Sequence, residues 1–334
     1  MILFRLPEKK LVNVSMKKRN PYFDNAKVIL IFLVVLGHIL SAFLYENRIV
    51  SSVYLFIFLF HMPAFIIISG FFAKGIHKPG YLANVAKKLL IPYLIFQIFY
   101  TFYYIVIFQN DLSLSPFTPR WALWFLLSLF LWNVMLFLFS KIRYGLPLAV
   151  VLSLVVGYFS DVDGFLSLAR TFFFFPFFLL GYYLKEEHFT RLTSKGIKVI
   201  SVVLMVALFV LLYKVMPLDE RAWLMGKQPY EKMDDITLPL AWVARFGVYI
   251  VMSVVTFLFF TLVPSQKTFF THLGPLTISI YLLHMAFVKL LHESPLVSFI
   301  INEDQYWLLV VFTVAIMYMT TRKPVQFLMK PVIK

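Results

Sequence analysis

Ten long apolar runs decide what this chain can fold into, because each is about the length of a bilayer-spanning helix. They cover residues 27–45, 50–73, 88–109, 121–140, 145–160, 168–184, 196–216, 239–262, 272–292 and 306–321, the fifth and sixth being short. A hydrocarbon core of about 30 Å takes about 20 residues of helix. The runs are continuous and do not alternate between apolar and polar positions, which favours helices over barrel strands. Composition agrees: 61% of the 334 residues are hydrophobic and 14% are charged, whereas soluble domains carry about 25% charged residues. The two soluble domains that the length alone would suggest are excluded. The sequence therefore predicts an all-α, polytopic integral membrane protein with about ten transmembrane helices.

A net charge of +15 would suit a nucleic-acid partner if the basic residues formed one patch. They are dispersed instead. With the N-terminus taken as inside, the inner segments hold 22 of the 31 Lys and Arg, and the outer segments hold 12 of the 16 Asp and Glu. An inner balance of +18 then faces an outer balance of −3, as the positive-inside rule predicts. Both termini are expected in the cytoplasm of a multi-pass cell-membrane protein, with the lipid bilayer and no nucleic acid as its surroundings. The organisation reads as a basic tail over 1–26, a membrane domain over 27–321 and a short tail over 322–334, with no fused soluble domain. The first 26 residues lack the apolar segment and cleavage site of a signal peptide, and Met16-Lys17-Lys18-Arg19 offers a second start. The longest connection, 217–238, is acidic through Asp219, Glu220, Asp234 and Asp235. The chain has no cysteine, so disulfides, thiolate metal sites and a thiol nucleophile are excluded.

Polar side chains at bilayer depth are costly, and their default reading is functional. Of seven histidines, His77 and His188 fall in inner connections, while His272 and His292 sit at the ends of the ninth run and read as interfacial. His38, His61 and His284 fall near the middle of runs one, two and nine. His38 follows Lys27 by eleven residues, about 16 Å of helix and about three turns, so both lie on nearly one face. Each histidine has an alternative reading. His38 and His284 could bond a neighbouring helix, and His61 could satisfy backbone near the Pro63 kink. A metal site built from the three is disfavoured, because no carboxylate shares their depth. Lys27 reads either as an anion-binding group or as an interfacial anchor paired with Asp24. Arg170 and Arg245 either meet a phosphate or sugar or snorkel to the headgroups. Ser69-Gly70 suits small-residue helix packing, and Gln97, Ser128 and Asn133 suit bonds between helices.

Several stretches, taken in order, resemble the acyltransferase 3 family of membrane acyltransferases. More narrowly, they resemble its fucose 4-O-acetylase-like branch, which modifies surface polysaccharides. They are Phe23-Asp24-Asn25-Ala26-Lys27 with His38, His61-Met62-Pro63-Ala64-Phe65 leading to Ser69-Gly70, and Trp121 through Trp132 with Trp124-Phe125-Leu126. Phe175-Pro176-Phe177-Phe178-Leu179-Leu180-Gly181-Tyr182 and Ser279-Ile280-Tyr281-Leu282-Leu283-His284 follow, so the likeness runs from about residue 20 to 322. One position departs: Lys27 stands where the family usually has Arg, which keeps the charge but loses bidentate phosphate binding.

The resemblance implies transfer of an acyl group, most simply acetyl from acetyl-CoA on the cytoplasmic side, to a hydroxyl of a carbohydrate or lipid-linked glycan. It implies His38 and His61 as catalytic residues, with Lys27, Asp24 and Ser69 on the donor side. Arg170, Trp124 and His284 would face the acceptor. No metal is expected, and proteins of polysaccharide synthesis or export are candidate partners. His38 would act as general base or carry the acyl group itself. His61, Ser69 and Gln97 are candidates for stabilising the oxyanion. Two other classes suit ten spans with polar groups at mid-depth: a transporter or flippase for a lipid-linked sugar, and a non-enzymatic component of a polysaccharide synthase.

Overall fold

The first helix, α1 (Pro21–Leu40), starts where the sequence supplies its own cap. The Asn20 side chain accepts the Tyr22 amide at 3.0 Å, and proline's fixed φ suits the first helical position. The start therefore lies six residues before the predicted one. The computed structural model describes residues 19–108, 116–160, 164–192, 194–215, 218–233 and 238–333. The basic residues before Arg19, the second start at Met16, and Asp234 and Asp235 lie outside these. The further helices are α2 (Arg48–Phe71), α3 (Tyr81–Phe108), α4 (Trp124–Phe139), α5 (Gly145–Val156), α6 (Leu168–Tyr183) and α7 (Glu186–Arg191). Then follow α8 (Lys195–Val215), α9 (Arg221–Met225), α10 (Ala241–Leu262), α11 (Thr277–His292), α12 (Leu296–Asn302), α13 (Leu308–Thr320) and α14 (Lys323–Ile333). No strand occurs among the described residues.

Eight helices, some extended by a leading 3-10 turn, are long and apolar enough to cross a membrane. They match the predicted runs except the fifth and tenth. Over 145–160 the helix α5 has 12 residues, about 18 Å, and the chain then turns so that Gly157 O accepts the Tyr230 amide at 2.7 Å. The sixth run reaches full length because a 3-10 turn from Phe165 precedes α6. In the tenth, α13 has 13 residues and bends by 67° into α14, and the pair makes at most one broken span. The count is thus eight, or nine with the bent pair, beside the shorter α5. Residues 323–333, expected as a tail, form an amphipathic helix. Its Met329 packs into a cluster with α3 and α11, while Phe327 and Leu328 are exposed.

At the centre, α2 packs against α1, α6, α8 and α10. Its tightest contact is with α6, where two glycines let backbones touch. A Cβ on Gly70 would meet the Phe178 carbonyl oxygen, and a Cβ on Gly181 would meet that of Ile67. Such small-residue contacts let dispersion act at close range between membrane helices. Peripheral α8 by contrast exposes Val199, Val203 and Val206, the pattern of a lipid-facing helix.

The end of α1 is unusual. Gly37 packs against Phe58, ten residues along α2 from Arg48 and so about 15 Å below the start of that helix. The first span therefore stops partway, and residues 41–46 continue as turns. Carbonyls freed at a helix end need donors. Here Ser41 Oγ donates to His38 O at 2.7 Å, and His292 Nε2 donates to Ile39 O at 3.2 Å.

Candidate functional site

The stripe Ile31, Val34 and His38 on α1, with Ser41 just past its end, forms one wall of a cavity of about 470 Å³. The spacing of three and four residues keeps the α1 side chains on one helix face. The opposite walls come from α2, through Tyr54, Phe58, His61 and Ser69, and from α11, through Thr277, Tyr281, Lys289 and His292. The head of α4 and Arg170 of α6 close one end. The lining is mainly apolar, so its few polar groups set what chemistry the cavity can hold.

His38 is half-buried in this wall, and its ring makes no hydrogen bond with the described residues. His61 is buried, and its Nδ1 donates to Ile57 O at 2.8 Å. That bond assigns the proton to Nδ1 and leaves Nε2 as the acceptor nitrogen of a cavity-lining ring. The carbonyl it satisfies is not Leu59 O, the one deprived of a donor by Pro63, so the kink alone does not explain the residue. His284 lies behind the wall and is fully buried. Its Nδ1 donates to Tyr281 O at 2.7 Å and Ile280 O at 3.2 Å, and its ring centre is 5.3 Å from that of His38. His38 and His284 thus lie side by side on neighbouring helices, and His61 lines the same cavity as His38.

The other predicted site residues divide between the two ends. Ser69 lines the cavity, but its hydroxyl is committed to Phe65 O at 2.9 Å. Lys27 lies one turn beyond Ile31 on the same face and outside the lining. Its Nζ is 2.8 Å from Asp24 Oδ1, and Arg19 holds the same carboxylate through two hydrogen bonds of 2.9 and 3.1 Å. Asp24 is therefore a buried bridge between two cations, leaving the cluster a net positive charge. At the far end the Arg170 guanidinium lies 4.8 Å from the Trp124 ring centre, and Lys289 lies 5.8 Å from that of Trp121. Both are cation–π pairs.

His292, expected at an interface, lines the cavity instead, and so do Trp121 and Lys289, the latter not singled out by sequence. The signal available was the α11 face itself, where Thr277, Tyr281, Met285 and Lys289 recur every four residues. Other polar groups prove to be fasteners. Ser128 Oγ bonds Thr171 Oγ1 at 2.7 Å, Asn133 donates to Leu129 O, and Gln97 holds Thr118 O and the Arg120 amide at 3.0 Å each. Gln97 is thus tied to the segment before α4, away from the cavity. Arg245 is buried 4.2 Å from the Tyr230 ring centre, with Gln228 O accepting from it at 3.3 Å. It pins the 218–233 segment rather than snorkelling. Among the described residues, no group of three or more His, Cys, Asp or Glu is arranged to hold a metal ion.

An imidazole with uncommitted nitrogens, in an apolar cavity flanked by cations, can take a proton from a neutral hydroxyl beside an anionic ligand. Comparison with known proteins agrees in kind. The model of a family described as "Acyltransferase domain" matches residues 20–322. The chain is 29% identical to Nodulation protein NolL of Sinorhizobium fredii, over 58% of this chain and 57% of that protein. It is 34% identical to Nodulation protein NolL of Mesorhizobium japonicum, over 32% of this chain and 33% of that protein. The matched regions thus span little more than half of these relatives at most. No solved structure matches the chain.

Proposed function

Because the chain belongs to the acyltransferase domain family, we propose that it is a membrane-embedded O-acyltransferase. It moves an acetyl group from acetyl-CoA to a hydroxyl of a cell-surface or exported carbohydrate, with His38 as general base. The observation that carries this reading is the His38 imidazole, free of hydrogen bonds with the described residues, in a cavity wall with Arg170 in the same lining and Lys27 beyond it. The protein works in the cell membrane, with acetyl-CoA arriving from the cytoplasm. Its acceptor is a glycan or lipid-linked glycan supplied by polysaccharide synthesis or export proteins.

In this mechanism the donor's phosphates stay by Arg19 and Lys27, and its extended arm follows the Lys27–Ile31–Val34–His38 face for about 16 Å. The acceptor hydroxyl attacks the thioester carbonyl carbon while a His38 ring nitrogen takes its proton. The new C–O bond forms, the tetrahedral adduct collapses with loss of the C–S bond, and the thiolate recovers the proton from the imidazolium. His61 Nε2 is an acceptor, so it suits orienting the incoming hydroxyl rather than stabilising an oxyanion. The Ser69 hydroxyl is likewise already committed.

The test is purified protein in nanodiscs with radiolabelled acetyl-CoA and surface polysaccharide stripped of esters by mild alkali. Label should pass to the polysaccharide, and His38→Ala should lower that transfer by about 100- to 10,000-fold while the protein stays folded. Label held on the protein when no glycan is present would replace direct attack by an acyl-histidine route. Full transfer by His38→Ala would overturn the reading, as would glycan movement across the bilayer without any need for acetyl-CoA.

A further inference from the structure

The buried face of α11 contains a polar atom that the mechanism above leaves unused. His284 is fully buried, and its Nδ1 proton is directed at two backbone carbonyls, Tyr281 O and Ile280 O. Its Nε2 therefore carries a lone pair, and it has no hydrogen-bond partner. Buried polar atoms in native proteins are rarely left in that condition. The neighbouring polar ring is His38, centre to centre 5.3 Å with the planes inclined by 39°. Two imidazoles joined by an N–H···N bond of about 3 Å have centres about 5 Å apart. The observed separation thus already fits the bond, and the Cβ–Cγ torsion that would turn the His38 ring toward His284 is a soft one. The backbone here is held meanwhile, because His292 of the same helix donates to Ile39 O, the carbonyl next to His38.

We infer that His284 is a positioning residue for His38. Its Nε2 accepts the N–H of the His38 nitrogen turned toward it, which places the His38 lone pair on the opposite nitrogen, in the cavity. The inference rests on the reading of His38 as the base. When the hydroxyl proton arrives at the cavity-side nitrogen, His38 becomes an imidazolium whose other N–H points at the His284 lone pair. The departing thiolate takes the cavity-side proton back, and no proton passes to His284 in the cycle. A structural role alone would need only the Nδ1 bond to the α11 backbone.

Two substitutions separate the nitrogens. In His284→Asn the side-chain amide can replace Nδ1 against Tyr281 O but puts nothing at the Nε2 position, whereas in His284→Gln an amide oxygen can reach that position. The assay is the nanodisc reaction with labelled acetyl-CoA and alkali-treated polysaccharide, with thermal unfolding in detergent followed alongside. His284→Asn should lower kcat about 10- to 100-fold, the scale on which an imidazole's outer hydrogen-bond partner matters. KM for acetyl-CoA should stay within twofold, and His284→Gln should recover most of the lost rate. Wild-type kcat in His284→Asn overturns the inference alone, and so does an equal loss of rate in both variants. A wild-type protein that transfers no label overturns the acyltransferase reading and the inference with it.

Discussion

Lys27 is not a free ammonium. It shares the buried Asp24 carboxylate with Arg19, so one negative charge is divided between two cations, and of the two readings open from sequence the pairing with Asp24 is the one its contacts describe. A phosphate would compete with Asp24 for Lys27 rather than meet an empty charge, while Arg19 holds the carboxylate in place. Lys27→Ala should therefore raise KM for acetyl-CoA several-fold and leave kcat at saturating donor within about twofold, the signature of lost uniform binding. An unchanged KM would reduce Lys27 to an anchor. His38 was legible in the sequence because a lone imidazole at bilayer depth is costly enough to stand out by itself. His292 and Lys289 were not. Placed in the last turn of an apolar run, they look like any interfacial residue until the early end of α1 creates a carbonyl and a cavity for them to face.

At the scale of elements, hydropathy located the spans well because a bilayer demands length and apolarity, which a sequence displays directly. It said less about where a helix stops inside its run. The first run is apolar to residue 45, yet α1 ends at Leu40, since Ser41 and His292 supply the donors that its last carbonyls require. Helix pairing was visible only as the hint of Ser69-Gly70, and its partner Gly181 could be identified only once α2 and α6 lay side by side. The reciprocal contact gives a stability prediction. A valine at Gly181 must force the Ile67 backbone away, an overpacking cost of about 1–3 kcal/mol. Gly181→Val should lower the unfolding temperature in detergent and reduce insertion yield. Gly247 of α10 is the control, because a Cβ there meets nothing within 4 Å, and Gly247→Ala should match or exceed the wild-type temperature. Equal behaviour of the two variants would show that the glycine contact does not hold α2 to α6.

For the whole molecule, orientation couples the charge pattern to the chemistry. The cavity has cations on both sides, Arg170 and Lys289 in its lining and Arg19 with Lys27 beyond the lining on the other side, so geometry alone does not say which side would meet an acyl donor. The distribution of charge along the sequence gives an expectation, a cytoplasmic N-terminal side carrying +18, and with it a donor side that can be tested. The absence of cysteine makes this directly measurable, because one introduced thiol is then the only thiol. Lys78, between α2 and α3, and Lys227, after α9, are both exposed and lie on opposite sides in the expected topology. In intact cells a membrane-impermeant maleimide should label Lys227→Cys and spare Lys78→Cys until the membrane is opened. The reverse pattern would put Lys27 and Arg19 on the outer face, beyond reach of a cytoplasmic thioester. The donor would then have to enter past Trp121 and Trp124, and the assignment of the two ends would exchange.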